Sequence, residues 1–227
     1  PEPDIIFYGG EPLLCLSVME RLMDSISARR YLLQTNALLL KYVKPRHLKK
    51  FKAILVSIDG RQETTNHYRG KEVYDDILEN IRLTRKRGFR GDLIARMTAS
   101  ENTNIFSDVM HLVRLQDPTF DHVHWQLDVL WDYPPESRWK NFGEWITDSY
   151  DPGVAKLVAV WGEEIIRRAR VLPIVPFTGI MWSLLTGEKA NLRCGAGIDS
   201  FSITPSGDIT VCPIAPEWEF AKVGTIF

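Results

Sequence analysis

Short runs of apolar residues alternate along the chain with longer stretches in which apolar positions recur every three or four residues. The first pattern suits strands buried on both faces and the second suits helices with one buried stripe. Together they predict βα units around a parallel sheet. Ile5–Tyr8 is the first predicted strand, and Leu13–Ala28 follows as a helix with Leu16, Met19, Leu22, Met23 and Ile26 at helical spacing. Tyr31–Thr35 is the second strand, Leu38–Lys52 a helical or mixed connector, and Ala53–Ile58 the third strand. Asp75 and Asp76 open a helix that ends in Arg82, Arg85, Lys86 and Arg87 before Gly88, so its charges complement the helix dipole and the glycine suits its cap. Leu93–Thr98 is a strand, Asn102 a cap for the helix Ile105–Leu115, and His122–Leu130 a long strand. Asp151-Pro152 reads as an N-cap followed by proline in the first turn of a helix reaching about Arg170.

The helical period breaks near Val171. Pro173 and Pro176 interrupt it, a short helical piece covers Ile180–Leu185, and Phe201–Thr204 and Ile209–Cys212 flank Pro205-Ser206-Gly207-Asp208 as a β-hairpin. The expected organisation is residues 1–172 as an α/β unit, 173–193 as a linker and 194–227 as the start of a second module. No repeat or low-complexity tract interrupts this order.

At 227 residues the chain is long enough for one large domain or a domain with an appendage. A formal net charge of −1 argues against a polyanion-binding surface, so nucleic acid is not an expected partner. No apolar run has the length a bilayer needs and no charged-then-apolar leader opens the chain, so the expectation is a cytoplasmic protein without a membrane partner. Three scattered cysteines, Cys15, Cys194 and Cys212, suit reduced thiols and not a disulfide scaffold. The chain opens at Pro1 with no Met and enters a strand almost at once, which reads as a fragment.

Candidate chemistry gathers after the predicted strands. Gly9 and Gly10 can take backbone angles closed to other residues and leave peptide groups unobstructed, while Glu11, followed by Pro12, offers a carboxylate suited to a cationic group. The same four residues also fit a plain strand-to-helix connection. Thr35 and Asn36 end the second strand, where Asn36 is equally suited to a turn with left-handed φ. Arg96 lies inside a mainly apolar strand and requires an anion or carboxylate partner, either a ligand or a structural ion pair. Gln126 and Asp128 share a face of the next strand, open to a bound ligand or to plain solvent. Cys15 is expected in the core beside Leu14 and Met19, and His67 and Arg69 are expected to order a loop. Trp131, Tyr133, Trp139 and Trp145 suit a substrate channel or the cap of a core.

Tyr8-Gly9-Gly10-Glu11-Pro12-Leu13-Leu14, Gln34-Thr35-Asn36, Val56-Ser57-Ile58-Asp59-Gly60 and His67-Tyr68-Arg69-Gly70 occur in this order at or after strand ends. In that order and context they resemble radical S-adenosylmethionine enzymes. Cys194, Gly207 and Cys212 are similar in spacing to the opening of the SPASM extension of peptide-modifying members. The resemblance implies a partial (β/α) TIM-like barrel of the radical SAM type missing its first strand, followed by a hairpin that begins a cluster-binding domain. It implies S-adenosylmethionine as cofactor, with Gly9, Gly10 and Glu11 receiving its amino group, Ser57 and Asp59 facing its ribose and methionyl parts, and Arg96 and Gln126 available to its carboxylate and adenine. Cys194 and Cys212 would be ligands of an auxiliary 4Fe-4S cluster.

The CxxxCxxC loop that carries the family's catalytic 4Fe-4S cluster is not in these 227 residues, and Ala37 stands where family sequences usually follow Asn with Gly. By the resemblance the cluster ligands lie outside this chain, which by itself is expected to be inactive. The intact protein is expected to make a 5′-deoxyadenosyl radical, to act on a peptide or protein, and to draw electrons from a reductant such as ferredoxin or flavodoxin. A non-peptide substrate and a non-catalytic binding module on the same scaffold remain open.

Overall fold

The computed structural model describes residues 2–129, 139–188 and 194–227. The chain divides into two compact units, the first built from Pro1–Leu130 and Glu136–Gly179 and the second over Ile180–Phe227. In the first, β1 (Asp4–Phe7), α1 (Leu16–Ser25), β2 (Arg30–Thr35), α2 (Pro45–Leu48) and β3 (Phe51–Ser57) are followed by α3 (Gln62–Arg69), α4 (Val73–Lys86), β4 (Asp92–Ala99), α5 (Ile105–Arg114) and β5 (His122–Leu127). The helical pieces α6 (Phe142–Trp145) and α7 (Asp151–Arg168) come next, and α8 (Val175–Thr186) carries the chain across the division.

The five strands form one parallel sheet in chain order, β1-β2-β3-β4-β5. Its side chains alternate consistently. Leu33, Thr35, Ile54, Val56, Leu93, Ala95, Met97, Val123 and Trp125 are buried, whereas Ile6, Gln34, Leu55, Ser57, Ile94, Arg96, His124 and Gln126 are half-buried or exposed. Helices therefore cover one face and leave the other open. Ile174 forms a further parallel bridge with Val123, so the start of the expected linker runs beside β5. This parallel α/β sheet is the partial (β/α) barrel expected from the sequence. Among the described residues no helix is long and apolar enough to cross a membrane.

Several elements depart from the periodicity. His67 and Arg69 lie in α3, not in a loop; this helix has no apolar stripe, and its buried residues are Thr64 and Thr65. Asn104, not Asn102, caps α5 by accepting from the Ser107 amide at 3.0 Å. Asp151 is not a cap: helical structure already begins at Phe142 and runs through a π-helical turn, Ile146–Tyr150, into α7. Cys15 is exposed, because the buried stripe of α1 runs through Met19, Glu20 and Met23. β5 ends at Leu127; Leu130, Trp131, Tyr133 and linker residues 189–193 lie outside the described residues. Trp145 is buried and Trp139 packs on it at 4.7 Å between ring centres, so these two cap the core.

In the second unit, β6 (Ser202–Ile203) and β7 (Asp208–Thr210) pair antiparallel as the expected hairpin. β8 (Lys222–Thr225) adds a third strand on β7.

Candidate functional site at the strand ends

Parallel pairing brings the carboxyl ends of β1, β2 and β3 to one edge of the sheet, with Phe7 opposite Leu33 and Thr35 opposite Val56. Gly9, Gly10, Glu11 and Pro12 therefore lie beside Thr35 and Asn36, with Ser57 and Asp59 on the next strand end. This is the edge at which parallel α/β sheets and barrels build their sites.

Glu11 organises that edge. Its carboxylate accepts from the Leu13 amide at 3.0 Å, from the Thr35 hydroxyl at 2.8 and 3.0 Å, and from the Asn36 amide at 2.7 Å. It thereby caps the 3-10 turn Pro12–Cys15 and fixes the glycine loop to the end of β2. Most of its acceptor capacity is already engaged. Thr35 is buried, and its oxygen also accepts from the Ala37 amide at 3.0 Å, so it shapes the loop instead of reaching a ligand. Asn36 accepts from the Leu38 amide at 3.0 Å, an Asx turn, and Ala37 takes φ 66°. That positive φ gives a physical reason for a glycine at this position in related motifs.

The peptides of the glycine pair are the open part of the loop. Gly9 has φ 145°, both glycines are exposed, and a Cβ built on either would meet nothing within 4 Å. A ligand can approach the backbone there at van der Waals distance.

Asp59 is buried and committed elsewhere. Its carboxylate accepts from Arg69 at 2.7 Å and from the Thr98 amide at 2.9 Å, and the second Arg69 contact is 2.6 Å. The ion pair fastens α3 to the ends of β3 and β4, so Arg69 anchors a helix and not the loop expected from the sequence. Next to it, Gly60 at φ 117° makes room for Asp108: a Cβ there would stand 2.3 Å from that of Asp108. Asp108 is fully buried and accepts from the Arg61 amide and side chain and from Thr64 and Asn104. Ser57 ends β3 half-buried, opposite Arg96.

Arg96 stands on the open face of the sheet. Its guanidinium donates to His124 Nδ1 and to Gln126 Oε1, residues that β5 places opposite Arg96 and Thr98. No carboxylate among the described residues bonds to it, so the ion pair considered from sequence is not what holds it. Burial pulls the Arg96 pKa down, with Tyr8 acting in the opposite sense. Burial, then the Arg96 charge, pushes His124 down to about 4, which leaves its imidazole neutral at physiological pH. Asp128 accepts from the Ser100 hydroxyl at 2.9 Å. No motif points to His124. The signal for it is the alternation His122, His124, Gln126, Asp128 along a single strand face.

Cys194 is exposed and Cys212 half-buried, both in the second unit. Gly197, with φ 74°, packs its Cα side against Val211, so a Cβ would lie 3.3 Å from that side chain. This brings the turn after Cys194 against the residue before Cys212. Among the described residues, no three His, Cys, Asp or Glu side chains converge to hold a metal ion.

The five-stranded parallel sheet and its strand-end site have the fold of a partial (β/α) barrel. Native anSMEcpe with bound AdoMet superposes on 98% of the chain at 18% identity and a TM-score of 0.75. Its complexes with AdoMet and the Kp18Cys or Cp18Cys peptide give TM-scores of 0.70 and 0.71 at 17% and 18% identity. The chain spans 63–64% of the length of these structures. No family model and no curated protein matches the sequence.

Proposed function

We propose that the chain is part of a radical S-adenosylmethionine enzyme that modifies a peptide or protein. The observation that carries this reading is the open Gly9-Gly10 backbone, fixed by Glu11 to the end of β2 beside Ser57. The methionyl ammonium would be received by carbonyls of the glycine pair, with Glu11 holding the loop and lending its remaining lone pair. Arg96 would meet the methionyl carboxylate, Ser57 the ribose or methionyl part, and Gln126 the adenine side of the pocket. Asp59 supports the site through Arg69. When bound and reduced, S-adenosylmethionine would supply a 5′-deoxyadenosyl radical, and this chain's residues would hold and orient it.

The three cysteines, Cys15, Cys194 and Cys212, do not make the catalytic cluster's ligand set. Cys194 and Cys212 would contribute two thiolates to an auxiliary 4Fe-4S centre, with 173–193 joining the barrel to that module. Electrons would come from a small reductant such as ferredoxin or flavodoxin. The peptide substrate is supported by the neighbours that bind peptides as well as AdoMet.

Anaerobic reconstitution of the intact protein with iron and sulfide, followed by dithionite and S-adenosylmethionine, is expected to release 5′-deoxyadenosine. A reconstituted protein that releases none overturns the enzyme reading. Release coupled only to a small-molecule acceptor, with no mass change in any peptide, overturns the peptide half alone.

A further inference from the structure

Arg96 has an unusual set of partners. An arginine set into a sheet is ordinarily compensated by a carboxylate, yet both acceptors that orient this guanidinium are neutral: an imidazole nitrogen and an amide oxygen. A guanidinium carries five N–H donors and no acceptor. The contact with His124 therefore requires an unprotonated Nδ1, with the ring proton on Nε2, and two donors are spent on His124 and Gln126. Three remain, together with the full positive charge. Neutral acceptors fix the direction of the fork without cancelling what it offers a ligand. Strand register makes the arrangement rigid, because Arg96 faces His124 directly and Gln126 lies two residues further along the same face.

We propose that His124 is a positioning residue that aims Arg96 at the carboxylate of the cofactor's methionyl group. The inference rests on the cofactor reading above. It assigns His124 no contact with reacting atoms; the residue acts only through Arg96. It also separates His124 from Asp59, whose Arg69 pair is a conventional ion pair that braces the fold.

The test compares His124→Leu, which removes the acceptor, with His124→Asn, whose Oδ1 stands close to where Nδ1 was. The probes are S-adenosylmethionine and 5′-methylthioadenosine, which lacks the whole aminocarboxypropyl group and so reports the adenosine part alone, titrated calorimetrically into the intact reconstituted protein. His124→Leu is expected to weaken S-adenosylmethionine binding about tenfold, the scale of one charge-assisted hydrogen bond, and to leave 5′-methylthioadenosine unchanged. His124→Asn should recover most of the loss. Equal weakening of both probes, or no recovery in His124→Asn, overturns the positioning role even if thermal unfolding shows both variants folded. If His124→Leu does not fold, wild-type-like discrimination between the probes must still survive in His124→Asn, and its loss overturns the proposal. Failure of the unsubstituted protein to bind S-adenosylmethionine overturns the cofactor reading itself.

Discussion

The acidic residues of the strand-end motifs are chiefly architectural. Glu11 accepts from one hydroxyl and two amides, and Asp59 accepts from Arg69 and an amide. Sequence gives the residue types at the right strand ends, but a carboxylate aimed at a ligand and one aimed at a neighbouring turn have the same letters. What distinguishes them is burial and register, which become visible only after the strands are paired. The same pairing exposes His124. Unfolded histidine takes up a proton near pH 6.5, whereas folded His124 does so only at about 4. Between those values the unfolded chain binds more protons, so stability falls on acidification through this window and returns as pH rises. His111, also lowered by burial, adds in the same sense. The lowered carboxylates Asp4, Glu20, Asp24 and Asp208 give up their contribution only below this, as pH falls through and under the ordinary carboxylate range near 4. Urea midpoints at pH 7 and pH 5 should therefore differ, and the difference should shrink in His124→Asn. An undiminished difference would show that His124 titrates normally in the fold.

At the scale of elements, the parallel strands were legible because they are short apolar runs, and the charged helix α4 because its dipole, stripe and cap agree. Helix α3 was not legible. It buries two threonines and takes its place through the Arg69–Asp59 pair and the Asp108 hub, contacts made across 10 and 44 residues of chain. The two glycine sites separate structural from binding demands. Gly60→Ala would place a methyl 2.3 Å from Asp108 Cβ at a φ of 117°, with a buried hub that cannot move aside. It should cost about 3 kcal/mol or more, read as a fall in the urea midpoint. Gly10→Ala meets nothing within 4 Å and has no positive φ, so its stability should stay within about 0.5 kcal/mol of the parent. If the loop is the cofactor cradle, that methyl nevertheless obstructs the backbone, and S-adenosylmethionine affinity should fall in a protein whose unfolding is unchanged. A Gly10→Ala protein with full affinity would move the cofactor away from this loop.

At the scale of the whole molecule, the two units differ in how they are held together. The first buries Leu33, Ile54, Ile58, Ile77, Ile81, Leu93 and Met97 completely. In the second, the only buried described residues are Gly195, Gly207, Thr210 and Ala221, while Ile198, Phe201, Ile203, Ile214, Trp218, Phe220, Val223 and Ile226 are exposed. At about 25 cal/mol per Å² of buried apolar surface, such a unit gains little against the entropy of ordering its backbone. Modules this small are ordinarily held by a metal, a disulfide or a partner surface. The hairpin was legible from its turn, but this deficit was not, because the exposed residues are the ones a sequence reading assigns to a core. Cys194 and Cys212, both in this unit, with Gly197 after the one packed on Val211 before the other, make a bound cluster the candidate staple. Hydrogen exchange checks this directly. Without iron, amides of β6–β8 should exchange far faster than those of β2–β4, and anaerobic loading with iron and sulfide should slow them. Cys194→Ala or Cys212→Ala should abolish the slowing and leave β2–β4 unaffected. Protection of β6–β8 that is high before loading, or that survives both substitutions, would mean that a protein surface and not a cluster supplies the missing core.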